Sequence, residues 1–305
     1  MNEAVAAADM NAPTWRTYLA LCKPKVVLLI VFTAIVGLLL ASGSSPAWTT
    51  AVFAILGIGL AAAAGAAANH WVDRRIDAVM ARTQNRPLPQ HRISPLAVIV
   101  FALLLATLSM LLLATRVNGL TALLTFISMI GYAVIYTVFL KPATPYNIVL
   151  GGAAGATPPL LGWTAVTGQV HTEALLLFLI IFIWTPPHFW ALAIKRRKEY
   201  AKAKIPMLPV THGVAFTKLQ ILLYTNMLIA ISVLPFFIEM SGLIYLAGAL
   251  ALGFGFLWHA VQLFREKGDT QAGPTFAYSI FYLSMLFGFL LVDHYVRIIV
   301  RAWLL

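Results

Sequence analysis

Charged residues are scarce in this 305-residue chain, and acidic residues are the scarcest of them. There are 10 Asp and Glu against 21 Lys and Arg, and the four types together make up 10% of the sequence. A soluble domain averages about 25% charged residues. One soluble core could not bury a chain that is 61% hydrophobic, so the composition predicts an all-α protein that crosses a membrane many times.

Cysteine is nearly absent, since Cys22 is the single example. This excludes an intrachain disulfide and a thiolate metal cluster. The N-terminal sequence MNEAVAAADMNAP also lacks the basic start and apolar core of a cleavable signal peptide. Because no hydrophilic domain is inserted anywhere, we expect one transmembrane domain over 1–305, with 1–22 as its polar N-terminal segment.

Apolar segments of about 20 residues, the length that crosses a bilayer, occur nine times. The fifth is interrupted by glycines and prolines, which membrane helices tolerate where neighbours or water satisfy the backbone. The sixth contains Pro186 and Pro187, where we expect a kink. The segments are 25–42, 47–68, 95–114, 119–139, 147–167, 174–194, 219–237, 243–263 and 276–297.

The distribution of Lys and Arg predicts the orientation. With the N-terminus in the cytoplasm, 18 of the 21 cations lie on the cytoplasmic side, and only Arg116, Arg297 and Arg301 lie outside. Positive charge concentrates on the cytoplasmic side of membrane proteins. The count therefore predicts a cytoplasmic N-terminus and an odd number of spans.

Asn69, Asp73 and Asp77 follow one another at intervals of four residues, where an apolar helix reaches water. Four residues advance a helix by about 40°, so the three side chains form one polar stripe. Mg²⁺ prefers such oxygen ligands and usually bridges carboxylates to substrate phosphates. We therefore predict that these residues are catalytic and bind Mg²⁺ together with a diphosphate.

Arginines surround this stripe, and guanidinium groups suit phosphate oxygens. Arg74, Arg82 and Arg86 are accordingly candidate diphosphate ligands. The competing interpretation is a surface network in which the aspartates and neighbouring arginines neutralise one another at the end of a helix.

A second basic connection, 195–204, contains six cations and one acid. Lys195, Arg196 and Tyr200 are candidate diphosphate ligands, although the topology alone accounts for several of the cations. Glu199 is either a further metal ligand or the helical ion-pair partner of Lys195 or Lys202.

His188 lies within a predicted span, where an ionisable residue is a functional candidate by default. It could serve as a general base, a hydrogen-bond partner or an axial ligand to a haem iron. The alternative is a histidine bonded to a carbonyl that Pro186 and Pro187 leave free.

These motifs resemble those of the UbiA-type intramembrane aromatic prenyltransferases, and within that family the branch that farnesylates haem. The resemblance covers almost the whole chain from KPK at 23–25. Its specific stretches are NHWVDRRID at 69–77, RTQNRPLP at 82–89, YTVFLK at 136–141, NIVLGGAAGATPPLLGW at 147–163, WTPPHFWALAI at 184–194 and IPMLP at 205–209.

The resemblance implies nine helices around a central cavity in a bacterial inner membrane, with the active site toward the cytoplasm. It also implies Mg²⁺-dependent ionisation of farnesyl diphosphate and transfer of the farnesyl group, with addition of water, to a vinyl of haem b. The product would be haem O for terminal oxidases. Lys141 joins the expected diphosphate ligands by its place in the family's motif, and His188 is the candidate for haem binding.

One departure from the family's pattern concerns the second connection. Many members carry a second aspartate-rich motif there, and in the haem branch an Asp usually precedes the Tyr, where this chain has Glu199 before Tyr200. A two-metal site is therefore less expected than direct contact between cations and diphosphate.

Two other functions remain open at this stage. One is a sister prenyltransferase that acts on 4-hydroxybenzoate in quinone synthesis. The other is a transporter, although transport sites place polar groups near mid-membrane and here they gather at helix ends. Haem A synthase or an oxidase is a possible docking partner, and no nucleic-acid partner is expected.

Overall fold

The computed structural model describes residues 13–43 and 45–304, and within them the chain is helical with no strand. Most of the expected N-terminal segment, residues 1–12, lies outside the described part. The helices are α1 (Trp15–Leu21), α2 (Pro24–Ala41), α3 (Trp48–Val79), α4 (Pro95–Arg116), α5 (Gly119–Ala143), α6 (Asn147–Ala156), α7 (Pro158–Thr167), α8 (Thr172–Lys195), α9 (Arg197–Lys202), α10 (Leu208–Thr211), α11 (Gly213–Phe237), α12 (Leu243–Arg265) and α13 (Ala272–Leu304).

Eight of the described helices are long and apolar enough to cross a membrane: α2, α3, α4, α5, α8, α11, α12 and α13. They confirm the predicted all-α, multi-pass membrane fold and correspond to eight of the nine predicted segments. Two helices are irregular inside, since α5 contains a π-helix at Gly131–Leu140 and α11 is broken at Val233.

The fifth predicted segment is the one that differs. It forms two ten-residue helices, α6 and α7, that meet at Thr157 because Pro158 and Pro159 have no N–H to continue the helix. Asn147 at the start of α6 donates to the Thr144 carbonyl oxygen at 2.7 Å, near the end of α5. At the other end, Asn118 before α5 donates to the Thr164 carbonyl oxygen at 2.9 Å.

The α6–α7 pair thus runs the length of α5, although neither helix alone would cross a bilayer. A count of nine spans and a cytoplasmic N-terminus stay predictions.

Small residues let α2 and α7 approach each other closely. A Cβ added to Gly37 would lie 2.0 Å from the Pro159 carbonyl oxygen, and one added to Gly162 would lie 1.9 Å from the Ala34 carbonyl oxygen. Helices in membranes associate through such close backbone contacts. These glycines therefore fix the broken segment against the first long helix.

Helix α8 lies at the centre of the bundle and packs against α6, α11 and α13. In its most apolar stretch of 18 residues, 67% of the residues are buried, which is a larger share than in the other described spanning helices. It continues through Pro186 and Pro187 to Lys195, and the kink expected there stays a prediction. The two side chains that follow, His188 and Trp190, are consequently buried inside the protein.

Candidate active site

The three residues of the polar stripe lie on the last turns of α3 and are almost completely buried. Asn69 and Asp73 are each 4% exposed and Asp77 is 3% exposed. Burying carboxylates is unfavourable unless they are paired and hydrogen-bonded. Both aspartates therefore need partners. Neither of them pairs with the adjacent Arg74 or Arg75, which a surface network would use.

Asp73 is paired with a lysine from α5. Its Oδ2 accepts from Lys141 Nζ at 2.6 Å and from Asn69 Nδ2 at 2.8 Å. Its Oδ1 is buried and has no hydrogen-bond partner among the described residues. Buried carboxylate oxygens are normally satisfied, so this oxygen is a position where a further cation fits.

Asp77 is paired with an arginine from the loop that follows α3. Arg86 Nη1 donates to both carboxylate oxygens, at 2.9 Å and 2.8 Å. Thr83 Oγ1 donates to the Asp77 carbonyl oxygen at 3.0 Å, and Leu88 is buried against α4. The loop therefore folds back over the end of α3 and brings its arginine onto the stripe.

Lys23 completes this cluster, and sequence analysis had not assigned it to the site. Its Nζ donates to Asn69 Oδ1, and its backbone adopts a left-handed conformation (φ 49°) at the N-cap of α2. Burial, and secondly the charge of Arg86, lower the pKa of Lys23 to about 7. A cation at a helix N-terminus opposes the helix dipole, and that is the signal that could have pointed to a partner.

The π-helical stretch of α5 supports the same cluster from the side. Thr137 Oγ1 accepts from Asn69 Nδ2 at 3.4 Å and donates to the Tyr132 carbonyl oxygen at 2.7 Å. The rings of Tyr132 and Tyr136 stack with centroids 5.8 Å apart. Such π-helical segments are frequent at functional sites. Here the segment directs a hydroxyl toward the stripe and two aromatic rings into the protein.

The second connection reaches this cluster through Tyr200 on α9. The hydroxyl is buried, and burial is the main reason that its pKa is raised. The charge of Arg82 lowers the pKa and that of Glu199 raises it, and smaller effects come from Arg196, which lowers it, and from Asp73, which raises it. These charges act on Tyr200 because the two connections meet at one end of the bundle.

Glu199 pairs with Arg196, its neighbour on the second connection, rather than with Lys195 or Lys202. Arg196 Nη1 lies 2.6 Å from Glu199 Oε1, and Glu199 Oε2 is buried without a partner. Across residues 13–43 and 45–304, no three His, Cys, Asp or Glu side chains converge to hold a metal. A metal at this site would accordingly need the Asn69 amide oxygen or substrate oxygens besides the two aspartates.

Two of the predicted diphosphate ligands point elsewhere. Arg74 Nη1 donates to the Trp71 carbonyl oxygen at 2.7 Å, and its guanidinium lies over the Trp71 ring at 5.0 Å. Lys195 lies against the start of α13, where its Nζ would be 3.2 Å from a Cβ added to Gly273. The roles of all these residues in binding diphosphate stay predictions.

His188 is buried between α8 and α13 rather than beside the aspartates. Its Nδ1 lies 2.6 Å from Ser279 Oγ, so its partner is a hydroxyl and not a carbonyl freed by the preceding prolines. Whether it contacts haem stays a prediction at this point.

Comparison with known proteins settles the family. The model of the UbiA prenyltransferase family matches residues 30–286. This chain belongs to the UbiA prenyltransferase family. It is 63% identical over 298 residues to the protohaem IX farnesyltransferase of Thioalkalivibrio sulfidiphilus, a match that covers 96% of this chain and 99% of the relative. It is 60% identical over 281 residues to the enzyme of the same name from Nitrosococcus oceani, covering 92% and 94%.

Solved structures of UbiA proteins share the fold. A digeranylgeranylglyceryl phosphate synthase superposes with a TM-score of 0.78 at 19% identity, covering 92% of this chain and 98% of the other. A UbiA homologue from Archaeoglobus fulgidus, solved with GPP and Mg²⁺ bound, superposes with a TM-score of 0.61 at 15% identity, covering 90% and 99%. At these identities the likeness concerns the fold alone.

Proposed function

We propose that this chain is a protohaem IX farnesyltransferase of a bacterial cell membrane. The observation that carries the proposal is identity of 60–63% to relatives of that name over more than nine tenths of the chain. In the reaction, the bond between farnesyl C1 and the diphosphate oxygen breaks, and its electron pair leaves with diphosphate. A vinyl carbon of haem b bonds to C1, water adds its oxygen to the other vinyl carbon, and a proton is released, which gives haem O.

The buried stripe suits the diphosphate end of this reaction. Asp73 and Asp77, with the Asn69 amide, would hold Mg²⁺, and the unpartnered Asp73 Oδ1 fits that assignment. When bound, the metal neutralises charge on the leaving diphosphate. Lys141 and Arg86 each have an aspartate partner in the present structure.

Those two cations gain a second role when substrate arrives. Lys141 and Arg86 lie beside the aspartates and would also contact phosphate oxygens, where fixed positive charge stabilises the leaving group as it forms. Lys23 contacts Asn69 of the stripe, and the charge of Asp73 acts on the buried Tyr200, so these two side chains would join them.

The apolar interior suits the other half of the chemistry. An allylic cation reacts with water unless its chamber is dry, and the stacked Tyr132 and Tyr136 rings belong to the stretch of α5 that contacts the stripe through Thr137. Farnesyl and porphyrin groups both partition into lipid, so a site between helices is accessible to each of them.

One assay tests the proposal. Purified protein is incubated with haem b, farnesyl diphosphate and Mg²⁺, and products are identified by mass spectrometry. We expect a mass for haem b plus one farnesyl and one hydroxyl group, and we expect none when Mg²⁺ is chelated. If haem remains unchanged while 4-hydroxybenzoate is prenylated in a parallel reaction, the proposal is wrong.

The orientation can be tested separately. We propose a cytoplasmic N-terminus, nine spans and therefore an external C-terminus. A C-terminal alkaline phosphatase fusion should be active and a C-terminal green fluorescent protein fusion dark. The reverse pattern would contradict this topology, either because the orientation is inverted or because the number of spans is even.

A further inference from the structure

A cavity apart from the aspartate stripe opens at the end of the bundle that carries the two basic connections. Its volume is about 580 Å³, and it lies between the start of α9, the start of α11 and the loop that joins α12 to α13. None of Asn69, Asp73 and Asp77 lines it. Cavities of this size hold small molecules, so the groups in the wall indicate what this one can bind.

The wall of the cavity carries more positive than negative charge. Its cations are Arg197 of α9, Lys218 of α11 and Lys267 of the α12–α13 loop, and its acids are Glu266 and Asp269 of the same loop. Three cations against two acids leave one net positive charge. The partners of these groups decide how much of that charge a ligand can use.

Both acids already have partners inside the protein. The Glu266 carboxylate accepts from the backbone N–H groups of Thr270 at 3.1 Å and Gln271 at 3.0 Å, directly before α13. Asp269 Oδ1 lies 3.9 Å from Lys218 Nζ, which also donates to the Glu266 carbonyl oxygen at 2.8 Å. Lys218 is only 5% exposed, so this buried lysine serves mainly to hold the loop.

Arg197 and Lys267 are the cations that remain for a ligand. Among residues 13–43 and 45–304, neither of them forms an ion pair. They approach the cavity from two different connections, so a group between them must satisfy both. A phosphate suits this position, because its oxygens accept from a guanidinium fork and from an ammonium group together.

The first turn of α11 adds donors to the same wall. Val214 and Ala215, its second and third residues, line the cavity, and the N-cap residue His212 provides no side-chain hydrogen bond. The N–H groups of a first turn have no partner within their helix and favour anions. They therefore reinforce the charge of Arg197 and Lys267.

Apolar surface continues from the cavity along the outside of the bundle. Phe264 at its edge is 45% exposed. Leu219 and Leu223 follow Ala215 at intervals of four residues on α11, which keeps them on one face, and they are 38% and 53% exposed. This surface suits an acyl chain, whereas a free anion would gain nothing from it.

We propose that this cavity binds the phosphate headgroup of an anionic phospholipid between Arg197 and Lys267, with an acyl chain along Leu219 and Leu223. Basic pockets between membrane helices on the cytoplasmic side bind anionic headgroups in this way. The inference goes beyond the proposed function and does not rest on it, since it uses no residue assigned to farnesyl diphosphate or haem.

Counting bound lipids tests the site directly. The full chain in mild detergent is titrated with phosphatidylglycerol or phosphatidylcholine, and bound lipids are measured by native mass spectrometry. We expect one phosphatidylglycerol to bind about tenfold or more tightly than phosphatidylcholine. The double variant Arg197→Gln/Lys267→Gln should lose this preference.

A matched control removes the same charge beside the cavity. Lys198 and Arg265 are exposed neighbours of the two ligands' segments and do not line the cavity. The double variant Lys198→Gln/Arg265→Gln should keep the wild-type preference. Equal losses in the two double variants would show a general attraction to positive charge and would overturn the site.

Two further measurements identify the ligand and guard against misfolding. Inorganic phosphate and glycerol 3-phosphate carry the charge without acyl chains, and neither should displace phosphatidylglycerol at equal concentration. Displacement by either would mean that the cavity takes a soluble anion and would refute the lipid assignment. Ala215→Trp fills the cavity while every charge stays, so it should weaken phosphatidylglycerol binding several-fold. Wild-type binding in this variant would contradict the proposal, even if the charge variants fail to fold.

Discussion

The two basic connections at one end of the bundle hold their acids in different ways. Asp73 and Asp77 are buried, and each is paired with a cation from a different part of the chain, Lys141 or Arg86. Glu199 is paired with Arg196, three residues earlier, and the two side chains are 22% and 33% exposed. Ion pairs between neighbours at the surface contribute little, whereas a buried charge that loses its partner is strongly destabilising.

This difference in burial between the acids of the two connections indicates that the reaction depends mainly on the first connection. Burying two carboxylates is unfavourable for folding, and a membrane helix of α3's length would form without them. In the second connection the Glu199–Arg196 pair is partly exposed, and Tyr200 is a buried polar side chain. We therefore expect substitutions in the first connection to have much larger effects on turnover than those in the second.

The largest effect is expected for Asp73→Asn. The variant keeps the shape of the side chain but removes the charge that would hold a metal, and it leaves Lys141 without its carboxylate partner. We expect turnover to fall at least about 100-fold, as when other electrostatic elements of active sites are removed. The measurement is farnesylated haem formed per unit time, by mass spectrometry.

A binding experiment separates this effect from misfolding. Asp73→Asn should still bind haem b with wild-type affinity, because the predicted haem-binding residue His188 lies on another helix. Turnover within a few-fold of the wild type would remove Asp73 from the metal site.

The next prediction compares two arginines of the first connection. Arg86 contacts Asp77, whereas Arg74 turns back onto Trp71 of its own helix. Arg86→Met should reduce turnover and affinity for farnesyl diphosphate by about 10–100-fold, and Arg74→Met should change them by less than about threefold. Isothermal titration with a non-hydrolysable farnesyl diphosphate analogue provides the affinities. Comparable losses in the two variants would mean that Arg74 leaves Trp71 when substrate binds.

The sequence predicts the stripe because its pattern is local. Asn69, Asp73 and Asp77 share one face by helical periodicity alone, and the family's motifs lie in the same stretch. The partners of the stripe could not be predicted in that way. Lys23 lies 46 residues before Asn69, and Lys141 lies 68 residues after Asp73, so each contact depends on how whole helices pack.

The irregular backbone was predicted only in part. The prolines of the fifth segment predict a break in the helix, and the structure has this break between α6 and α7. The π-helix in α5 has no comparable signal, since Gly131–Leu140 contains no proline and reads as an ordinary apolar helix. In this stretch Tyr132 lies against Gly65 of α3 and Tyr136 lies against Gly151 of α6, and such contacts depend on how the helices pack.

Gly151 supports that stretch from α6, and substituting it is expected to have an intermediate effect. A Cβ at this position would lie 2.0 Å from the Tyr136 ring, whereas a Cβ at Gly155 on the same helix meets nothing within 4 Å. Gly151→Ala should destabilise the protein by about 1–3 kcal/mol through overpacking, and Gly155→Ala should be nearly neutral. Thermal unfolding in detergent measures both. Equal stability in the two variants would show that the Tyr136 ring moves aside without loss.

Glu199→Gln is expected to have the smallest effect, and it tests the contrast between the connections most directly. A partly exposed pair at this spacing is worth about 0–1 kcal/mol, so turnover should fall less than about tenfold. The concentration of Mg²⁺ that gives half-maximal turnover should stay the same, because the metal would be held at the α3 stripe. If Glu199→Gln raises that concentration strongly, the unpartnered Oε2 binds a second metal. The two connections would then act as a pair, and the difference in burial between their acids would no longer indicate a difference in function.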